Sequence, residues 1–117
     1  MAYTFNGTEG APIELKTAKE WAANYRESLK DPNDTVAHFF GFEIIEKILA
    51  EPGCMGLRIY YGINDKGEKQ LMLVGADKAG DNLLPAEGMF LLGDGNTIAD
   101  MSFPCPSYCP PTSGNSF

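Results

Sequence analysis

Met55-Gly56-Leu57-Arg58-Ile59-Tyr60-Tyr61-Gly62-Ile63-Asn64-Asp65-Lys66-Gly67-Glu68-Lys69-Gln70-Leu71-Met72-Leu73-Val74-Gly75-Ala76 is the stretch from which the fold is read. Residues 55–63 and 69–76 are rich in Ile, Leu, Val and Tyr, and the polar run between them contains one glycine, so the segment reads as a β-hairpin. Two registers compete. A three-residue loop, Asp65-Lys66-Gly67, with Gly67 in the left-handed position of a bulge, pairs Ile63 with Lys69 and Tyr61 with Leu71. A two-residue loop slips the pairing by one and moves every side chain to the other face. The first register gives glycine the position it suits and groups Leu57, Ile59, Tyr61, Ile63, Leu71 and Leu73 on one face, which is expected to be buried. The opposite face carries Arg58, Tyr60, Gln70, Met72 and Val74. It is amphipathic, and Arg58, Tyr60, Met72 and Val74 form a candidate interaction face.

Two helices precede the hairpin. Ala18, Trp21, Ala22, Tyr25 and Leu29 share one helical face, and Thr17 with Glu20 has the spacing of a capping box, which predicts a helix from about Thr17 to Leu29. Asp31-Pro32-Asn33-Asp34 ends it. Ile44, Ile45, Ile48 and Leu49 follow the helical period, with Glu43, Glu46 and Lys47 outward, and Pro52-Gly53 stops the run. Ala37-His38-Phe39-Phe40 fits either an extended segment or a first turn, and the reading adopted is a largely buried helix from about Val36. Asn6 to Gly10 reads as a turn. Asp77 to Gly95 is loop-like around the apolar Met89-Phe90-Leu91-Leu92, and Thr97 to Phe103 is compatible with a last strand. The prolines of residues 104–117 exclude helix and central strand. The expected fold is therefore α+β: two helices on a small antiparallel sheet centred on the hairpin. One domain is expected over 1–103, followed by a Pro/Cys-containing tail over 104–117.

The chain's 117 residues suit one domain that buries about two-thirds of its unfolded surface. A net charge of −7, with nine basic residues scattered among sixteen acids, speaks against nucleic acid and anionic membranes. It is compatible with a protein partner or with self-association. No run reaches the length of a membrane span, and no basic-then-apolar leader is visible at Met1 to Phe5, so the expected compartment is the cytoplasm.

Chemistry has few places to reside. His38, Cys54, Cys105 and Cys109 are the candidate metal ligands, since thiolate and imidazole are what a tetrahedral zinc site uses. Cys105 and Cys109 are alternatively a disulfide pair closing a short proline-bounded loop, and the plainest reading leaves both as free thiols with Cys54 a small buried apolar group. Cys54 and His38 are the only pair from which a thiol nucleophile and its base are drawn, with no third group to orient them. Gly88 to Gly95 lacks the Gly-Lys-Ser/Thr ending of a phosphate loop, and Asp94-Gly95-Asn96 lacks the spaced acids of a calcium loop. Trp21, Phe39 and Phe40 are a weaker candidate for an aromatic pocket.

The residues His38-Phe39-Phe40-Gly41, Ile44-Ile45, Ile48-Leu49, Gly53-Cys54, Leu57-Arg58-Ile59-Tyr60-Tyr61, Leu73-Val74-Gly75-Ala76-Asp77 and Pro104-Cys105-Pro106-Ser107-Tyr108-Cys109 carry a resemblance. Together they resemble a family of small bacterial proteins, mostly from Bacteroidetes, to which no activity is attached. The resemblance implies a single domain that includes the cysteine segment, and it brings no assigned cofactor or partner with it. No catalytic signature stands out anywhere. The function that fits these observations is a non-enzymatic interaction or structural protein, self-association included, with no catalytic residues and no cofactor. The alternative is a thiol or zinc protein using Cys54, Cys105, Cys109 and His38.

Overall fold

The computed structural model describes residues 3–85, 96–111 and 117. The stretch read above as Met89 to Leu92 and as Gly88 to Gly95 lies outside them. The elements are α1 (Leu15–Ser28), β1 (Ala37–Phe39), α2 (Phe42–Leu49), β2 (Gly56–Ile63), β3 (Lys69–Ala76), β4 (Ile98–Ala99) and β5 (Phe103–Cys105). This is an α+β chain with antiparallel sheets, in the orders β2-β3-β4 and β1-β5. It divides into two compact units, residues 1–9 with 40–102 and residues 10–39 with 103–117.

The first unit is built on the hairpin. Its register pairs Ile63 with Lys69 and Tyr61 with Leu71, as the glycine-bulge loop requires. Asn64 N donates to Glu68 O at 3.0 Å and Gly67 N to Asn64 O at 2.9 Å, closing the turn. Gly67 has φ +80°, a conformation that costs a side-chain-bearing residue energy but leaves glycine unstrained. β4 joins the far side of β3, with Leu73 opposite Ala99 and Val74 opposite Ile98.

α2 packs on the same sheet, and Ile48, Leu73 and Ala99 form its buried core with Phe40, Ile44, Ile45 and Leu57 around them. The close approach depends on Gly75. A methyl there would lie 3.0 Å from Cys54 Sγ, 3.3 Å from Glu51 Oε1 and 3.3 Å from Ile48 Cγ2. One helix end therefore rests directly on strand backbone.

α2 does not begin at Val36. Ala37–Phe39 is a strand paired with Phe103–Cys105, and Gly41 is the N-cap of the helix. Aromatic residues fit either state, and a ladder with the far end of the chain decides it here. The consequence is a helix of 8 residues, about 12 Å long, lying against strands of 8 residues, about 26 Å long. Such a helix covers no more than half of the hairpin. The face expected to be buried is accordingly covered only in part. Leu73 is 3% exposed, whereas Ile59, Tyr61 and Ile63 are 54%, 90% and 74% exposed. Ile48 alone of α2 is buried, and Phe42 and Leu49 remain open.

The second unit holds α1 and the β1–β5 ladder. α1 starts at Leu15 with Glu14 as N-cap and no side-chain capping bond, so Thr17 lies inside the first turn and the Thr17–Glu20 pair caps nothing. No residue of α1 is buried, and Trp21 and Tyr25 are exposed. The last strand expected over Thr97 to Phe103 is two short strands, β4 and β5, broken where Met101 takes φ +61°. Pro104 lies within β5, in a two-stranded ladder whose strands are both edges, which is where proline is tolerated. No helix among the described residues is long and apolar enough to cross a membrane.

Gly75→Ala is expected to destabilise the chain by about 1–3 kcal/mol through overpacking. The added Cys54→Ala substitution should return part of that by removing the nearest atom. Urea unfolding monitored by tryptophan-independent circular dichroism measures both, and an unchanged midpoint for Gly75→Ala would contradict the packing described.

Candidate functional site

The face carrying Arg58, Tyr60, Met72 and Val74 is engaged within the first unit. Val74 is 2% exposed. Arg58 Nη1 donates to Gly80 O and to Asn82 Oδ1, both at 2.7 Å, and Asn82 Nδ2 donates to the Tyr60 hydroxyl at 2.7 Å. A turn at Asp77 to Asn82 provides these partners. Asp77 Oδ1 accepts from Ala79 N and Asp81 N at 3.0 and 2.9 Å, which holds the turn in shape. Arg58 Nη1 and the Tyr60 hydroxyl thus both have partners on this side of the sheet.

The opposite face differs. Ile59, Tyr61 and Ile63 alternate along β2, pointing one way, with half-buried Leu71 beside them across the pair Tyr61–Leu71. β2 is also the outer strand of its sheet. The Asn64–Glu68 bond sets the alternation of the ladder: even-numbered β2 residues bond to β3, and the N–H and C=O groups of Leu57, Ile59, Tyr61 and Ile63 point away from it. Exposed apolar side chains and outward backbone groups therefore belong to the same residues. At the start of β2 the edge is approached by the N-terminal segment, where Gly7 lies against Met55 O. A cleft of about 470 Å³ opens there, lined by Phe5, Glu9, Leu57 and Ile59 among others.

A buried carboxylate was not foreseen. Glu51 is 8% exposed at the end of α2, its Oε2 accepts from Thr97 N at 2.9 Å, and its Oε1 has no hydrogen-bond partner among the described residues. Lys47 Nζ donates to Thr97 Oγ1 at 3.2 Å. Burial pushes the Glu51 carboxyl above the ordinary carboxylate range, against the lowering effects of the Thr97 amide and the Lys47 charge. Its position was visible in the spacing: Ile44, Ile48 and Glu51 fall at i, i+4 and i+7, so Glu51 continues the apolar stripe.

The cysteines separate into two groups. Cys54 follows α2 in the first unit, half-buried, with its thiol donating to Gly56 O at 3.3 Å. In the second unit Cys105 and Cys109 are joined by a disulfide, with Cα atoms 4.6 Å apart, in place of two free thiols. Tyr108 N donates to Pro104 O at 2.8 Å inside that loop, and Val36 N donates to Cys105 O at 2.8 Å from the ladder. His38 stands opposite Pro104, half-buried, and burial lowers its imidazole below the ordinary histidine value. In the disulfide form neither sulfur is a thiolate, the form in which cysteine binds zinc. Among the described residues no group of three or more His, Cys, Asp and Glu forms an arrangement for a metal ion. The set His38, Cys54, Cys105 and Cys109 is thus divided between the units, with Cys105 and Cys109 joined covalently. Trp21 and Phe39 are exposed in the second unit, and Phe40 packs in the core of the first. A groove of about 380 Å³ in the second unit is lined instead by Tyr25, Val36 and Cys105 among others.

No family model, curated protein or solved structure matches this chain.

Two outcomes follow from this chemistry. Alkylation of the denatured chain without reductant is expected to label Cys54 alone, and after reduction all three cysteines, as read by mass spectrometry. Three labels without reduction would remove the disulfide. For Glu51, a raised folded pKa means the native chain holds its proton to higher pH than the unfolded chain, so stability falls as pH rises through and above the ordinary carboxylate range. Glu51→Gln keeps an acceptor for Thr97 N and should flatten that fall in urea titrations between acid and neutral pH. Identical pH profiles for the two proteins would refute the shift.

Proposed function

We propose that this chain is a non-enzymatic interaction protein that binds another polypeptide through the outer strand of its hairpin. The observation that carries this reading is the row Ile59, Tyr61 and Ile63, exposed by 54%, 90% and 74% on a strand with no neighbour beyond it among the described residues. Transfer of such side chains out of water is favourable by about 1.5–3 kcal/mol each when fully buried, so the row stores binding free energy that the isolated unit leaves unused. An open strand edge adds directional main-chain hydrogen bonds, the basis of recognition by strand addition. The acidic surface, −7 overall, favours a partner segment of neutral or basic character and opposes nucleic acid.

A second reading rests on the Cys105–Cys109 bond, which joins a buried residue to an exposed one at the end of the β1–β5 ladder. In the cytoplasm, the compartment inferred from the sequence, the glutathione pool opens such a bond when its potential permits, and the ladder end would loosen with it. That reading stands or falls with the thiol count given above.

A photo-reactive phenylalanine analogue placed at Tyr61, and at exposed Lys66 as a control, tests the first reading in cells that make the chain. Irradiation should give a discrete protein adduct from position 61 that position 66 does not give. Equal or absent adducts at the two positions would overturn it.

A further inference from the structure

We infer that the occupant of the β2 edge is a second copy of this chain, two β2 strands pairing antiparallel about a two-fold axis at Tyr60. The inference rests on the interaction reading above and names its partner.

Length is the first argument. The open edge is bounded at one end by the N-terminal segment against Met55 O and at the other by the turn that begins at Asn64. The strand that fits between these limits is as long as Gly56–Ile63, and β2 itself is such a strand. Self-complementarity is the second. Centred on Tyr60, the pairing sets Ile59 opposite Tyr61 and Leu57 opposite Ile63 of the other copy. Every one of the four residues whose backbone groups point outward then meets another of the four, and these become the hydrogen-bonded pairs of the new ladder. Moving the axis to Tyr61 would place Leu57 against Asp65. Moving it to Ile59 would require Met55, whose N–H donates to Ala76 O at 2.8 Å and whose carbonyl oxygen has Gly7 close beside it. The third argument is charge. In a chain of net charge −7, Gly56–Ile63 contains no acid and one base, Arg58, which this register sets opposite Gly62. Within the two paired strands no like charges face each other, which is what antiparallel self-pairing of an acidic protein demands.

The area decides the strength. Three exposed side chains, one of them aromatic, with the strand backbone offer on the order of 500 Å² per copy, below the ~800 Å² per partner of a standard stable interface. The dimer is therefore reversible and concentration-dependent, and it makes a continuous sheet of the order β4-β3-β2-β2-β3-β4.

Sedimentation equilibrium of the full chain over about 1–500 µM, the range in which interfaces of this size associate, should give a monomer–dimer equilibrium. Tyr61→Lys should shift it at least tenfold toward monomer while leaving the circular dichroism spectrum unchanged, since Tyr61 is 90% exposed. The axis is read separately by mild oxidation. Tyr60→Cys should give a covalent dimer faster than Ile59→Cys, Tyr61→Cys or the unmodified chain, because residues at the axis face each other in a non-hydrogen-bonded pair. A monomer at every concentration, or a Tyr61→Lys chain that dimerises as before, overturns the proposal. Fastest coupling at 59 or 61 overturns the register. The photo-adduct at position 61 separates the two failures: an adduct of twice the chain's mass supports self-pairing, and an adduct with a different protein from a monomeric chain overturns self-pairing alone. Absence of any adduct overturns both readings.

Discussion

The first unit depends on one close contact, the end of α2 set directly on β3 at Gly75. Ile48, Glu51 and Cys54 each come within about a van der Waals contact of where a side chain would be, so no larger residue fits without moving the helix. From this contact the rest of the unit follows. Ile48 is carried onto Leu73 and Ala99, closing the core. Glu51 is carried below the surface, where its carboxylate takes the Thr97 amide at the entry to β4. A helix end, a central strand and the return strand are thereby joined at a single point.

The same contact limits what the helix covers. A short helix anchored at the Gly75 end of the hairpin leaves the turn-proximal half of its face bare. The other face is treated differently, because the Asp77 to Asn82 turn supplies acceptors for Arg58 and a donor for the Tyr60 hydroxyl. On that side the turn engages Arg58 and Tyr60, and Val74 is buried. The other side retains apolar surface where β2 has no neighbour among the described residues, and the proposed function rests on that asymmetry.

How much of this was legible in the sequence varied with the range of the interaction. The hairpin register was readable because its determinants, the alternation and Gly67, lie within the segment itself. The α+β class followed from the same local periodicities. The start of α2 was not readable: Ala37–Phe39 is held extended by Phe103–Cys105, and nothing in the local residues announces a partner at the other end of the chain. The odd-numbered face was expected to be buried because the register groups the larger apolar set there, and an 8-residue α2 leaves its Ile59, Tyr61 and Ile63 exposed. Arg58, Tyr60, Met72 and Val74 share a face, as the strand alternation implies, and the turn that supplies partners to Arg58 and Tyr60 is a tertiary feature that no local pattern announces. Of the cysteines, sequence spacing allowed the Cys105–Cys109 bond alongside free thiols and zinc, and only the folded loop distinguishes the bond.

The treatment of the sheet edges bears on whether the open one is incidental. Proteins blunt exposed edges with proline, charge, short strands or covering segments, because a bare edge invites pairing. This chain uses those devices elsewhere. β5 carries Pro104 and is only three residues long, and its end is closed by a disulfide. β4, the opposite edge of the hairpin sheet, has two residues. β2 has eight, with no proline, one charge drawn to the other face by Gly80 and Asn82, and three large apolar side chains in the open. Over residues 59–63 this edge carries none of those devices among the described residues, and the proposed strand pairing rests on that contrast.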